Sequence, residues 1–182
     1  MDLARPVEPE TDLERAIVAD DRWKTGAAWG EPRPGHPEGR VDLHIGDVLA
    51  NIDKLGLNAE ARRKLRLIAL VHDTFKNEVD NSQPRTGANH HATIARGFVE
   101  RFTDDRDVLE ITELHDEAYN SWAVGIRRGD WEKANARVDR LLQRLGSRRD
   151  LYLAFYRADN STGDKWSDPL DWFEKRIAEL PG

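Results

Sequence analysis

The chain contains no cysteine. Disulfides and thiolate metal sites are therefore excluded, and any metal must sit on histidine, aspartate or glutamate. Long apolar runs are also missing. Nothing approaches the roughly 18 residues needed to span a bilayer, and the first thirty residues hold no apolar segment of the signal-peptide kind. The resulting expectation is a cytoplasmic chain with no membrane partner. A basic excess is absent too: 28 Lys and Arg stand against 34 Asp and Glu, for a net charge of -6. That balance argues against a protein built to coat nucleic acid. A small phosphorylated substrate stays compatible, because a bound metal can reverse the local field.

Sustained period-two alternation is the last absence, and it removes strands from consideration. At 182 residues, 38 % hydrophobic and 34 % charged, the chain reads as one all-α domain spanning 1–182, a single compact helical bundle. Residues 1–10, with Pro6 and Pro9, read as a frayed terminus. A short helix starts at Thr11, and the Gly- and Pro-rich stretch 26–39 is a loop. A stripe of Val41, Ile45, Val48, Leu49 and Ile52 then marks a helix that stops near Gly56. Asn58 caps the next helix, whose apolar face of Leu65, Ile68 and Ala69 runs into His72-Asp73. Residues 77–89 form a second loop. Further helices follow over 90–102, after the capping pair Asp104-Asp105, over 131–145, from Asp150, and over 169–180.

Most of these apolar faces carry one polar residue that interrupts or extends them. His44 lies inside the first stripe and His72 continues the second. His91 leads Ile94, Ala95 and Phe98, His115 follows Val108, Ile111 and Thr112, and Asp159 continues Tyr152 and Phe155. With Asp73, four histidines and two aspartates on five helices point at the core. Buried carboxylates without partners are too costly to persist. Imidazole and carboxylate together suit one or two divalent transition metals, Mn, Fe, Zn, Ni or Co. Two such ions sharing Asp73 would use all six groups. His36 and His90 fit the pattern less well and read as outer or surface residues.

The order His44, His72-Asp73, His91, His115, Asp159 resembles the HD-domain superfamily of metal-dependent phosphohydrolases, over residues 36–165. The segment His36-Pro-Glu-Gly, with His44 eight residues on, is also similar to the start of the HD domain in bacterial CCA-adding tRNA nucleotidyltransferases. The nucleotidyl-transfer head of those enzymes has no counterpart: Asp105-Arg-Asp107 lacks the Gly-Ser that would precede it. The resemblance implies an HD-like helical fold and hydrolysis of a nucleotide or other small phosphate ester by a metal-activated water. It implies His44, His72, Asp73 and Asp159 as ligands of a first metal, and His91 and His115 as the extra ligands of dinuclear members. Lys76 matches the lysine of the HDxxK form, and helical spacing also brings it to His72 and Asp73. Asp73 and Lys76 are thus the catalytic candidates. Arg157, Ser161 and Lys165 near the last ligand, and Arg85 with Trp29 on the two loops, are candidate substrate contacts. His72-Asp-Thr-Phe-Lys-Asn departs from the HDxxED form of alarmone hydrolases, which argues against that substrate.

Two other classes fit the same residues. HD-type di-iron oxygenases share these ligands. A non-catalytic module could bind a metabolite, or dock nucleic acid on the stripe Arg137, Arg140, Arg144 and Arg148, although such a stripe opposite a leucine face is usually a solvated one. A homodimer is compatible with everything above.

Overall fold

The computed structural model describes residues 7–179. Among them ten α-helices follow one another: α1 (Asp12–Ala19), α2 (Asp21–Ala27), α3 (Val41–Lys54), α4 (Ala59–Val71), α5 (His91–Val99), α6 (Arg106–Leu114), α7 (Glu117–Arg128), α8 (Trp131–Leu145), α9 (Arg149–Asn160) and α10 (Asp168–Ala178). The fold is all-α, and the described residues form no strand, only a single bridge between Arg33 and His36. No helix is long and apolar enough to cross a membrane among these residues.

Helix starts follow the capping chemistry of the sequence. The side chains of Thr11, Asn58 and Asp105 each accept from a backbone N–H of the first turn, as the sequence implied, and Asp20 and Asp130 do the same for α2 and α8. Each such cap is worth about 1 kcal/mol. Two helices are not anticipated by periodicity. In α2, Gly26 reads as a breaker, yet it serves as a spacer: a Cβ there would lie 1.9 Å from the carbonyl oxygen of Thr74. In α7 the buried face is Ala118, Ser121, Trp122, Ala123 and Gly125, and apart from Trp122 its members are too small or polar to register as a stripe. The closing helix ends at Ala178, and Leu180 lies outside the described residues.

The bundle is built around α4. Every residue from 65 to 75 is buried, the mark of a helix enclosed on all sides rather than one facing solvent. Helices α1, α3, α5, α6 and α9 pack around it. Arg66, the one cation in that run, meets the fully buried Glu14 of α1 through two hydrogen bonds of 2.9 and 3.0 Å. Its second terminal nitrogen also donates to the carbonyl oxygen of Glu8 at 2.8 Å, and Arg62 pairs with Glu10. Residues 8–10 are therefore tied to α4 rather than frayed, because the buried guanidinium needs those acceptors; residues 1–6 lie outside the described range.

The chain leaves α4 at His72. The Trp23 indole N–H and the Thr74 hydroxyl both donate to the Leu70 carbonyl, one of the last in the helix, at 2.7 and 2.8 Å. Phe75 then stacks on Phe98 of α5 with centroids 4.6 Å apart. These contacts hold the His72–Asp73 turn against the centre of the bundle.

Candidate metal centre

Five helices deliver the six predicted ligands to one place. His44 comes from the first turn of α3, His72 and Asp73 from just past the end of α4, His91 from the start of α5, His115 from just past the end of α6 and Asp159 from the last turn of α9. Phe155, one turn before Asp159, packs against the rings of His72 and His115 at 5.2 and 6.4 Å. It backs both rings from the core side.

Asp73 divides the cluster. Its Oδ2 faces His44 Nε2 and His72 Nε2 at 3.8 and 3.7 Å, while its Oδ1 lies 3.5 Å from both His91 Nε2 and His115 Nε2. Asp159 Oδ1 joins the first group, 3.0 Å from His44 Nε2 and 3.7 Å from His72 Nε2. The imidazoles approach in pairs, His44 Nε2 to His72 Nε2 at 3.2 Å and His91 Nε2 to His115 Nε2 at 3.3 Å. Ligand atoms about 2.1 Å from a divalent ion sit about 3.0 Å apart in octahedral and about 3.4 Å apart in tetrahedral arrangements. The separations above fall on or near those edges.

Tautomers add an independent argument. His72 Nδ1 and His115 Nδ1 lie 2.9 Å from the carbonyl oxygens of Ala69 and Thr112. A carbonyl only accepts, so each Nδ1 donates and each neutral ring turns its Nε2 lone pair into the cluster. His44 Nδ1 faces Glu38 Oε1 at 3.3 Å, and that oxygen also meets His36 Nδ1 at 2.9 Å. Lone pairs aimed at one another at about hydrogen-bond distance repel unless a proton or a metal ion lies between them. The donor set, nitrogen and carboxylate oxygen without sulfur, fits divalent transition metals.

Protonation follows the same geometry. Burial lowers His72 to about 4, despite the nearby carboxylates, and lowers His91 as well. Burial also opposes the charge on His44, but Asp159 and Glu38 outweigh it and raise that ring; Asp73 and Asp116 do so for His115. Although burial pushes the other way, Lys76 and the imidazoles hold the Asp73 carboxyl well below its ordinary range. Lys165 and His44 do the same for Asp159.

The floor is buried and the rim is open. His44 and His72 are 2 and 1 % exposed, whereas the side chains of Lys76, His90, Asp116, Asp159 and Lys165 are between 17 and 24 % exposed. Lys76 Nζ bonds Asp73 Oδ2, and Lys165 Nζ bonds Asp159 Oδ1 at 2.8 Å. Both predicted lysines thus reach the cluster. The two arginines do not. Arg157 turns to α10 and pairs with Glu174, because it sits two residues, or about 200° of helix, from Asp159. Arg85 is exposed and bonds Asn81 within its own loop, and the Ser161 hydroxyl donates back to the Arg157 carbonyl. Trp29 is exposed on the other loop. Sequence reasoning gave no role to Glu38, which lies in the quoted His36-Pro-Glu-Gly, or to Asp116, which directly follows His115.

The turn that carries His115 is held by Tyr152 of α9. Its hydroxyl lies 3.0 Å from the Leu114 carbonyl and 3.1 Å from that of His115, and accepts from the Ala118 N–H at 3.2 Å. That N–H belongs to the first turn of α7 and has no helical acceptor. Tyr152→Phe is expected to lower stability by roughly 1–3 kcal/mol, the cost of a buried donor left unpaired. Denaturant unfolding measures it, and an unchanged midpoint would show the bond to be dispensable.

No family model, curated protein or solved structure matches the chain.

Proposed function

We propose that the protein is a metal-dependent phosphohydrolase of the HD type, acting on a nucleotide or another small phosphate ester. The observation that carries this reading is the split of Asp73, one carboxylate oxygen facing His44 and His72 and the other facing His91 and His115. Two ligand groups joined by one carboxylate is what a dinuclear hydrolytic centre requires. Divalent ions held there would supply a Lewis acid and a water of lowered pKa.

The chain's own residues supply the rest. The surroundings favour the ionised forms of Asp73 and Asp159 and the neutral forms of His72 and His91, and the backbone bonds of His72 and His115 turn their Nε2 atoms inward. Lys76 and Lys165 favour a phosphate substrate. Each ammonium has three donors: Lys76 uses one on the Asp73 carboxylate, and Lys165 uses one on the Asp159 carboxylate and another on the Asp159 backbone carbonyl. The remaining donors and the positive charge are available to phosphoryl oxygens, whose developing charge is what such an active site must offset. Buried walls behind the rim keep bulk water from competing.

The nucleic-acid reading draws less support. Arg137 pairs with Glu117, Arg144 with Glu110 and Glu113, and Arg148 with Asp107. Intramolecular acids offset most of the stripe that would attract a phosphate backbone. The test is a screen of phosphomonoesters, cyclic nucleotides and nucleoside triphosphates with protein loaded in turn with Mn, Fe, Co, Ni and Zn. Cleavage of a phosphoester that tracks metal content is the expected result. Iron-loaded protein that consumes oxygen and cleaves none of them would overturn the proposal in favour of a di-iron oxygenase.

A further inference from the structure

Two side chains beside the cluster have no place in the six-ligand set. His90 Nε2 lies 3.3 Å from Asp116 Oδ2, and that oxygen lies 3.8 Å from His91 Nε2. His90, His91 and Asp116 together form a group whose donor atoms all fall within 4.8 Å of one another. Both outer members stand just before a helix, His90 before α5 and Asp116 before α7, and neither side chain caps the helix it precedes. Asp20, Asp105 and Asp130 occupy the same position before other helices and all three do cap. The ordinary reason for an aspartate at a helix start is therefore missing at Asp116, whose carboxylate turns toward the imidazoles instead.

We propose that Asp116 is a ligand of the second metal position, beside Asp73, His91 and His115, and that His90 holds it there. This inference rests on reading the cluster as a dinuclear metal centre. It makes the two positions alike. Each receives two imidazoles, a carboxylate of its own and one oxygen of Asp73, with Asp159 serving the first position and Asp116 the second. Three carboxylates against two divalent ions leave one positive charge in excess, before Lys76 and Lys165 are counted. Such a centre favours an anionic substrate without collecting adventitious anions as strongly as a more positive one. His90 is a positioning residue, the partner that fixes a ligating carboxylate from behind.

The test measures metal content and affinity, not turnover. Wild type, Asp116→Asn and His90→Gln are dialysed against Co(II), with bound metal determined by elemental analysis and the visible Co(II) spectrum recorded. Wild type is expected to bind two ions. Asp116→Asn should bind one at unchanged affinity and the second at least ~100-fold more weakly, with a changed Co(II) spectrum. His90→Gln should weaken the second ion by ~10-fold, the smaller effect of an outer partner. Helical circular dichroism should match wild type in both variants, since neither side chain caps. Two ions bound by Asp116→Asn at wild-type affinity would overturn the inference. Wild type that binds a single ion overturns it too while leaving a mononuclear centre standing, and wild type that binds none removes the metal reading itself.

Discussion

In the proposed dinuclear centre, Asp73→Asn is expected to abolish binding of both metal ions and to lower turnover by about three orders of magnitude, which corresponds to ~4 kcal/mol of transition-state stabilisation. The size of the effect comes from position. Every other candidate ligand faces one half of the cluster, whereas Asp73 offers Oδ2 to one imidazole pair and Oδ1 to the other. An amide keeps the volume but replaces one of those oxygens with a donor group, so at least one pair faces N–H instead of a lone pair. The charge that would hold two divalent ions close together is lost as well.

Stability of the metal-free protein should fall modestly. Asp73 is 6 % exposed, and in the metal-free protein its charge is sustained by Lys76 and by imidazoles that burial tends to keep neutral. Burial disfavours that charge, but its partners outweigh the cost and hold the carboxyl well below its ordinary range, so an amide gives up net stabilisation. Metal stoichiometry, phosphate release and a thermal scan of the metal-free protein separate the effects. Full turnover by Asp73→Asn would end the proposed mechanism, and a collapsed melting temperature would make Asp73 a structural residue first.

The candidate ligands that sequence could reveal share one property: each interrupts or prolongs an apolar helical stripe. His44, His72, His91, His115 and Asp159 are visible for that reason, and the structure brings them together. Glu38 and Asp116 break the rule. The first lies in a loop without periodicity, and the second is a single residue in the bridge region (φ -98, ψ 0) between α6 and α7. No stripe points to either, and only the tertiary fold carries them to the imidazoles. Arg157 misses the cluster by rotation about a helix axis, since nearness in sequence to Asp159 is not nearness in space at two residues' separation, and Arg85 turns to Asn81 within its own loop. α7 escaped notice because its buried face is built of small residues that admit close neighbours, as at Gly125, where a Cβ would strike the Trp131 ring at 2.3 Å.

Glu14→Ala is expected to cost about 3 kcal/mol, near the lower end of the roughly 3–5 kcal/mol seen when one member of a buried ion pair is removed. Glu14 reads in sequence as one of the acids that favour the first turn of α1. Its side chain is instead fully buried and holds Arg66 of α4 by two bonds, while also accepting from the Glu10 N–H at 2.6 Å. Alanine leaves a guanidinium that cannot deprotonate inside the bundle. Glu10 Oε1, already 3.2 Å from Arg66 Nη1, and the Glu8 carbonyl retain part of the compensation, which places the effect at the lower end. For a domain of this length that is a fall in melting temperature of about 10 °C. Replacing both partners, Glu14→Leu with Arg66→Met, should recover most of the loss, because the penalty comes from the stranded charge and not from a missing attraction. The consequence reaches the site, since Arg66 lies less than two turns before His72 on the same helix. If Glu14→Ala melts with wild type, the buried pair is neutral in energy, and α1 is not what fixes α4 beneath the candidate metal centre.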